Sequence, residues 1–473
     1  MKQQRPLVEA LQRFVRNEPH SLHVPGHKNG IFSALPNEIK AALQYDVTEL
    51  TGLDDFHHPE EAILKAEQLL AKTYGVDQSF FLVNGSTVGN LAMIYATCQA
   101  GDTILVQRNA HKSIFHALEL VGVNPVYLAP EWHEESKSAG HVPTETIKEA
   151  IKRYPHAKAV VLTYPTYYGV ATEQLAKQII LCHEAEIPVL VDEAHGAHLI
   201  ASHYFPSSAL ALGADVVVQS AHKTLPAMTM ASFMHVKSSL VDAKRVNHYL
   251  RMLQSSSPSY LLLASLDDAR AFIADYTEID FAAFSDKRAH FIESLRGIEG
   301  LEVIEVDDAL KLLLRVTGYT GFQLKDALEA HHIYVELADR EQVLLILPLM
   351  KQGQIYPFAD IRLRLKESII ALSKKPAEKL LPTKGLALPA ITKPECTYET
   401  LQRVEIEWIP YMRAIGRISA KMLIPYPPGI PLFVPGEKIT VAKLSQLEEM
   451  LDIGASFQGE HRLEGKCIAV IKQ

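Results

Sequence analysis

Cysteine is scarce in this 473-residue chain, and the four cysteines lie far apart. Cys98, Cys182, Cys396 and Cys467 form no CxxC pair. Their spacing argues against a disulfide framework and against a cysteine-based zinc site, and it fits a reducing compartment. We therefore predict a cytoplasmic protein without a metal site.

Long apolar runs and basic stripes are missing as well. No window reaches the ~18 consecutive apolar residues that a membrane span needs. The first twenty residues contain no apolar segment of the kind found in secretory signals. The formal net charge is −8 and there is no arginine-rich run, which argues against a nucleic-acid partner. These features predict an acidic globular protein that acts without a membrane and without nucleic acid.

Seven short apolar runs are present between residues 80 and 236. They are FFLV (80–83), TILV (103–106), PVYL (125–128), AVVLT (159–163), PVLVD (188–192), DVVV (215–218) and SFMHV (232–236). Runs of this length without polar alternation are typical of strands buried on both faces. Helix-length amphipathic segments separate most of them. The pattern predicts an α/β fold with a mainly parallel seven-stranded sheet covered by helices.

The pattern changes after about residue 300, where LKLLLRV and VLLIL indicate strands on either side of the helical stretch FQLKDALEAHH. We expect an N-terminal arm (1–60), a large domain (61–295) and a smaller C-terminal α+β part (296–473). A Pro-rich linker is predicted near 374–394. The segment PYPPGIPLFVPGE (425–437) contains five prolines, which are incompatible with a helix interior or a central strand.

Polar residues follow five of the predicted strands, where ligands of parallel sheets bind. These segments are NGSTVGN (84–90), QRNAHKS (107–113), YPTYYG (164–169), DEAHGAH (192–198) and QSAHKT (219–224). Each alone has an ordinary explanation, such as a helix cap or a surface lysine. Together they favour one site for an aromatic, phosphorylated cofactor with a cationic ring. Pyridoxal 5′-phosphate requires a Schiff-base lysine, a carboxylate for the ring nitrogen and phosphate donors, and Lys223 is the predicted lysine.

The ordered motifs PGHK (25–28), FFLVNGSTVGN, RNAHKS, VDEAHGAH, SAHKT and SSSPSY (255–260) resemble the Orn/Lys/Arg decarboxylase family. Its members have the aspartate-aminotransferase-like, pyridoxal-phosphate fold type I, and the chain is most similar to the short, Gram-positive-type members. The resemblance implies that Lys223 carries the cofactor, Asp192 pairs with the ring nitrogen and His111 stacks on the ring. The other cofactor-binding residues that it implies are Gly85, Ser86, Thr87, Ala194, His195, Ser220, His222, Ser256 and Ser257.

Two of these positions carry further expectations. Ser256 and Ser257 would reach the phosphate of a neighbouring subunit, which implies a homodimer or a higher homo-oligomer with shared active sites. His195 stands where the long family members have tryptophan in a DSAW motif, which suggests a different pocket and specificity.

The activity implied is α-decarboxylation of arginine, lysine or ornithine to CO2 and a di- or polyamine, as in polyamine metabolism. Lys223 or His222 would return a proton to Cα, and Asp54, Asp55 and Glu437 are candidates to bind the substrate's distal cation. Two alternatives stay open. One is another reaction of the same cofactor, by an aminotransferase, aldolase or lyase. An arginine such as Arg315, Arg362 or Arg364 could then clamp the substrate carboxylate. The other is a non-catalytic pyridoxal-phosphate-binding protein.

Overall fold

The structure is a computed structural model that describes residues 3–377, 388–426, 431–452 and 455–472. Its α-helices are α1 (Pro6–Arg16), α2 (Asn37–Lys40), α3 (Ala62–Tyr74), α4 (Gly85–Thr97), α5 (Lys112–Val121), α6 (Thr144–Arg153), α7 (Gln174–Glu184), α8 (Ala221–Thr224), α9 (Ala243–Leu253), α10 (Tyr260–Ala274), α11 (Glu278–Arg296), α12 (Gly321–Glu329), α13 (Phe358–Leu372), α14 (Tyr398–Leu401) and α15 (Val441–Asp452). Short 3-10 helices cover Ala41–Tyr45, Leu199–Ala201, Tyr411–Arg413 and Leu463–Gly465.

The strands are β1 (Gln78–Leu82), β2 (Thr103–Gln107), β3 (Asn124–Leu128), β4 (Trp132–His133), β5 (Ser138–Ala139), β6 (Val160–Thr163), β7 (Val189–Asp192), β8 (Val216–Gln219), β9 (Ser232–Val236), β10 (Leu301–Glu305), β11 (Lys311–Val316), β12 (Leu337–Ala338), β13 (Val343–Ile346), β14 (Ile391–Thr392), β15 (Ile406–Pro410), β16 (Ile424–Tyr426), β17 (Ser456–Gln458) and β18 (Cys467–Ile471). The chain divides into two compact units. Unit 1 comprises Met1–Thr97 and Pro188–Thr277, and unit 2 comprises Cys98–Ile187 and Glu278–Gln473.

Unit 1 contains four strands in the order β1–β9–β8–β7. β7 and β8 are parallel, while β9 runs antiparallel to both β8 and β1. Every residue of β7, β8 and β9 is buried, as continuous apolar runs predict. The free edge of β1 is covered by side chains, because the Phe81 N–H donates to Glu67 (2.9 Å) and the Val83 N–H donates to Gln254 (2.9 Å).

Unit 2 contains a second group of strands in the order β6–β2–β3–β14. β2 is parallel to both β3 and β6, and β14 adds an antiparallel pair beside β3. The rest of unit 2 has a four-stranded antiparallel sheet in the order β10–β11–β13–β12. One hydrophobic core lies under that sheet, among residues 291–372, and another lies among residues 411–470.

The helix periodicity explains how the first long helix of the α/β part packs. Ile63, Ala66, Leu70 and Tyr74 lie on one stripe of α3, and all four are buried. The helix ends at Gly75, which is left-handed with φ +66°, a conformation that glycine adopts without the steric cost of a Cβ. The sequence ILKAEQLLAKTYG (63–75) has this pattern, with apolar residues at helical spacing and a glycine at its end.

The predicted α/β class, with mainly parallel strands flanked by helices, is confirmed. All seven predicted strands are present, but the count of seven is too low by one, because β14 pairs with β3. A two-residue strand is too short to show a period of two, and β14 falls inside the segment predicted as a linker. Residues 378–387 of that linker and residues 427–430 of the proline-rich segment lie outside the described residues. Within the described ranges, no helix has the length and apolarity to cross a membrane.

Candidate functional site

The carboxyl ends of β7 and β8 bring the acidic motif and the lysine motif of unit 1 side by side. Asp192 pairs with Val218 in the parallel register. The backbone pairing continues past the strands, since Glu193 N–H donates to Val218 O (2.9 Å) and Ser220 N–H donates to Ala194 O (3.2 Å). The segments DEAHGAH and QSAHKT therefore leave the sheet together.

Asp192 ends β7 and is buried, with 2% of the residue exposed. Its oxygens accept hydrogen bonds from the Asn90 side-chain amide (2.9 Å) and from the Ala194 N–H (3.2 Å). A buried carboxylate needs such donors, because its desolvation is costly. Asn90, which the sequence interpretation did not single out, thus links Asp192 to helix α4.

Lys223 lies on the four-residue helix α8, immediately after β8. Its Nζ is 3.0 Å from His195 Nε2. The neighbouring His222 places Nδ1 3.0 Å from the carbonyl of Ala231. Since a carbonyl can only accept, His222 carries a proton on Nδ1. The lysine motif thus has an amine and an oriented imidazole at the carboxyl end of one strand.

The start of α4 offers donors suited to an anion. The helix begins at Gly85, whose φ is +75°. Ser86 Oγ lies 2.7 Å from Ser220 Oγ and 3.2 Å from Ser232 Oγ, so hydroxyls of α4, of the residue after β8 and of β9 converge. Thr87 is exposed in the first turn. Unpaired N–H groups and the helix dipole at such a start favour a phosphate or a carboxylate.

Helix α4 can lie close to the sheet because of Gly89. A Cβ at this position would come within 2.8 Å of side-chain atoms of Leu82 and Val218, which is closer than real Cβ contacts. Any larger residue would therefore push the helix away from β1 and β8. Gly89 thereby sets the distance between the helix start and the end of β8.

A buried hydrogen-bond chain lies beside Asp192, and sequence reasoning did not find it. Glu193 is fully buried and accepts from Ser208 Oγ (2.9 Å), Ala209 N–H (2.6 Å) and the Gln219 amide (2.5 Å). Gln219 Oε1 in turn lies 3.2 Å from His235 Nε2. Burial raises the pKa of Glu193 to about 7, although these three donors oppose the rise. These hydrogen bonds fix the side chains of Glu193 and Gln219, which are the sequence neighbours of Asp192 and Ser220.

In unit 2, His111 follows β2 and caps helix α5. Its Nδ1 lies 2.9 Å from Ser113 Oγ and accepts from the Ser113 N–H (3.3 Å). The residue is exposed. This cap fixes the orientation of the imidazole at the carboxyl end of β2, where the sequence interpretation expects a ring-stacking residue.

Glu437, one of the three acids considered for the substrate cation, is already neutralised. Its carboxylate is nearly buried and forms a bidentate pair with Arg108, with Nη2–Oε2 at 2.7 Å, and it accepts from Lys443 Nζ at 2.7 Å. Burial alone would raise the pKa of Glu437, but Arg108 and Lys443 outweigh it and lower that pKa below its ordinary value. This geometry disfavours Glu437 as a substrate-binding acid, because both oxygens already have cationic partners.

Asp54, the second of these acids, serves as a backbone cap in the structure. Its two carboxylate oxygens accept from five N–H groups, those of Asp55, Glu60, Glu61, Ile63 and Leu64, at 2.8–3.3 Å. Asp54 therefore anchors the start of α3, which disfavours it as a substrate-binding acid. Asp55, the third acid, is exposed and accepts from the His57 N–H (2.8 Å).

The serine loop after α9 is exposed at Ser256 and Ser257. Two hydrogen bonds hold the loop in place. The Ser255 N–H donates to Asn84 (3.3 Å), and the Ser255 carbonyl accepts from His57 Nε2 (2.8 Å). The loop thus presents its two serine hydroxyls on the surface of unit 1.

Solved structures define the class of protein first. Lysine decarboxylase A from Pseudomonas aeruginosa aligns with a TM-score of 0.81 at 22% identity, covering 99% of this chain and 80% of that chain. The constitutive lysine decarboxylase of E. coli aligns with a TM-score of 0.78 at 21% identity, covering 99% of this chain and 82% of that one. At such identities the likeness shows the fold, which is that of these decarboxylases.

Sequence relatives then identify the family. Residues 5–292 match the Orn/Lys/Arg decarboxylase major domain and residues 383–465 match its C-terminal domain. An arginine decarboxylase of Bacillus subtilis is 34% identical over 496 residues, covering 99% of this chain and 98% of that protein. The Bacillus subtilis protein YaaO, named uncharacterized, is 44% identical over 476 residues and 98% of both chains. The chain belongs to the Orn/Lys/Arg decarboxylase family, as the sequence motifs predicted.

Proposed function

We propose that this protein decarboxylates a basic amino acid at Cα with pyridoxal 5′-phosphate, releasing CO2 and a di- or polyamine in the cytoplasm. The observation that carries the proposal is the cluster at the strand ends of unit 1. There Lys223 follows β8, the buried carboxylate of Asp192 accepts from Asn90 of α4, and the hydroxyls of Ser86 and Ser220 meet at the start of α4. The names of the Bacillus relatives favour arginine as substrate, whereas the solved neighbours are lysine decarboxylases.

The residues present fit this cofactor by their chemistry. The hydroxyls of Ser86, Thr87 and Ser220 with the N–H groups of α4 suit a dianionic phosphate. Asp192 suits a protonated ring nitrogen, because its carboxylate is held by neutral donors rather than by a cation. When bound, the cofactor supplies an electron sink for the bond that breaks at Cα.

The protein's own groups would then bind, orient and move protons. His111 would lie against one face of the ring and Ala194 against the other. Asp192 would keep the ring nitrogen protonated, an electrostatic contribution of the kind that dominates many enzymes. Lys223, or His222 through its imidazole, would return a proton to Cα after CO2 leaves.

The arginines considered for an aminotransferase already have partners. Arg315 donates to Gln342 Oε1 (2.7 Å) and to the carbonyl of Glu135 (2.6 Å). Arg362 donates to the carbonyl of Ser294 (3.0 Å), and Arg364 pairs with Asp360 (2.8 Å). This geometry favours decarboxylation over transamination, since each of the three guanidinium groups is engaged elsewhere in unit 2.

We also propose a homodimer, or a higher homo-oligomer, with shared active sites. Unit 1 exposes large apolar side chains that a second copy could cover, and the exposed Ser256 and Ser257 would reach the partner's phosphate site. These apolar residues are Leu22, Val24, Ile31, Phe32, Leu35, Ile39, Met228, Met230 and Met252.

The test is purified protein with added cofactor and, separately, arginine, lysine or ornithine. We expect CO2 and the matching amine by mass spectrometry, and borohydride reduction should fix the cofactor to Lys223. Lys223→Ala should lose both turnover and covalent fixation. Lys237→Ala, an exposed lysine after β9, is the matched control and should retain both. Keto-acid formation without CO2 would favour an aminotransferase. Bound cofactor without turnover of any amino acid would favour a non-catalytic protein.

A further inference from the structure

The contact between His195 and Lys223 brings an imidazole to the amine that would hold the cofactor. His195 Nε2 lies 3.0 Å from Lys223 Nζ, and both residues belong to unit 1. His195 is buried, and Lys223 is partly buried. A candidate general base must lie within about 2.6–3.2 Å of the atom whose proton it takes. His195 meets this condition at Nζ.

The backbone on both sides of His195 is fixed. The carbonyl of Ala194 accepts from the Ser220 N–H (3.2 Å), which ties the residue before His195 to the segment after β8. The Gly196 N–H donates to the carbonyl of Glu193 (2.8 Å) and closes a turn that contains His195. A Cβ at Gly196 would overlap the side chain of Glu193, so this turn requires glycine. The imidazole therefore extends from a held backbone.

The backbone that carries Lys223 is fixed as well. The Lys223 N–H donates to the carbonyl of Ser220 (3.0 Å), and the His222 N–H donates to the carbonyl of Ala231 (3.2 Å). Ser220 also donates its own N–H to Ala194, as described above. The side chains of His195 and Lys223 thus extend from two segments that are hydrogen-bonded to each other.

The charges of the two side chains depend on each other. A lysine ammonium can only donate, so His195 Nε2 accepts from it, and the imidazole is then neutral with its proton on Nδ1. A second positive charge at 3.0 Å would repel the first, because like charges this close disfavour each other's charged form. The pair therefore carries one positive charge, and a proton on Nζ has an acceptor along the hydrogen bond.

We propose that His195 is a catalytic acid–base at Lys223 Nζ, which carries protons between the amine and the aldehyde oxygen while the cofactor attaches. This inference rests on the proposed decarboxylase function and adds a residue that acts on the cofactor-binding amine. A lysine is a nucleophile only when its amine is neutral. Histidine is the side chain most often used for such proton transfers.

The protons and electrons of this step balance without an oxidant or a reductant. His195 Nε2 takes one of the three ammonium protons of Lys223, and the freed electron pair of Nζ forms the bond to the aldehyde carbon. The electrons of the C–O bond pass to the oxygen, which leaves as water with two of the three protons, each carried by His195. The third proton stays on Nζ, so one positive charge is present before and after the step.

The experiment follows covalent attachment of pyridoxal 5′-phosphate to full-length protein from which hydroxylamine has removed the cofactor. Samples are quenched with borohydride at intervals, and mass spectrometry gives the fraction modified at Lys223. His195→Gln can still accept a hydrogen bond from Nζ, but it cannot take up a proton. We expect its attachment rate to fall by about 100-fold, the lower end of what general acid–base catalysis contributes. His203→Gln, at an exposed histidine of the same unit, is the matched control and should keep the wild-type rate.

Chemical rescue separates proton transfer from a structural role. His195→Ala removes the imidazole and leaves space for a small ring beside Nζ. Added imidazole should raise the attachment rate of this variant by about 10-fold, because it restores a base at Nζ. Pyrazole has the same shape but is far less basic, and it should have no effect. Wild type and His203→Ala should respond to neither compound.

Three outcomes would overturn the proposal. One is a His195→Gln protein that attaches the cofactor within about twofold of the rate of His203→Gln. Another is a His195→Ala protein in which imidazole gives no more rescue than pyrazole. If neither variant folds, the wild type decides, since attachment should be at least about twofold slower in D2O than in H2O and equal rates would exclude the proton transfer. A wild-type protein that never attaches the cofactor at Lys223 would instead refute the proposed function, which keeps the two failures distinct.

Discussion

Replacing Glu437 by glutamine tests whether the charge cluster around it is structural. Among the described residues, Glu437 supplies the negative charge that pairs with both Arg108 and Lys443, and the three side chains are only 4–6% exposed. Glu437→Gln keeps the shape but leaves two cations close together without a counter-charge. We expect a large loss of stability from this single change of charge.

The size of the loss follows from the geometry. At an effective dielectric of about 20, two unit charges about 4 Å apart interact by about 4 kcal/mol. Mutations that break a buried ion pair cost about 3–5 kcal/mol, because a charge is left buried and unpaired. For domains of a few hundred residues this corresponds to a fall in Tm of roughly 10 °C.

Lys443 offers the matched comparison. Burial, helped by Arg108, lowers the pKa of Lys443 although Glu437 opposes the shift. Lys443→Met should therefore be close to neutral, because the Arg108–Glu437 pair remains balanced. The double variant Glu437→Gln/Lys443→Met should recover part of the loss, since one unpaired cation is gone.

Thermal unfolding at neutral pH and limited proteolysis of the C-terminal part provide the readouts. Because its folded pKa lies below the ordinary value, Glu437 stabilises the protein at neutral pH, and this contribution is lost as pH falls through the folded pKa. Equal Tm values for wild type and Glu437→Gln, or a Lys443→Met protein as unstable as Glu437→Gln, would refute the reasoning.

Other predictions concern Asp54 and Glu193. Asp54→Ala should cost about 1–2 kcal/mol of stability, as for a lost helix cap, while leaving the preference among arginine, lysine and ornithine unchanged. A changed preference among these three substrates in a folded Asp54→Ala protein would indicate that Asp54 binds the substrate. Between pH 4.5 and about 7, folded Glu193 keeps a proton that the unfolded chain has released, so wild-type stability should fall as pH rises. Glu193→Gln should lack this part of the slope, and identical slopes by chemical denaturation would contradict the raised pKa of Glu193.

Much of the α/β part could be predicted because its strands come from runs of four or five mostly apolar residues without polar alternation. The runs around Val161 and Val217 are buried on both faces. A strand buried on both faces needs apolar residues at successive positions, and such a run can be recognised in the sequence. β14 and the short strands near the C-terminus could not be found, since two or three residues show no period and their pairing depends on distant partners. The domain boundaries at residues 60 and 295 stay predictions.

The candidate site was predictable where function demands an unusual residue at a strand end, as at Lys223 and Asp192. It was not predictable where the role of a side chain depends on which groups contact that side chain in the folded protein. Asp54 and Glu437 have the negative charge that a basic substrate needs. Only the structure shows that backbone N–H groups bind Asp54 and that two cations bind Glu437. Asn90 lies in the predicted segment NGSTVGN, but no role was predicted for it, for the converse reason. A neutral amide gives no signal until its acidic partner, Asp192, is seen beside it.

The covered edge of β1 limits the ways in which copies of this chain can associate. Because Glu67 and Gln254 occupy the outward N–H groups of Phe81 and Val83, an incoming strand would have to displace both before it could extend the sheet. Strand addition at that edge, the usual start of fibrous aggregation, is thus blocked by two side chains. Assembly at that edge is left to surfaces of side chains, which can be varied by mutation without rebuilding the backbone.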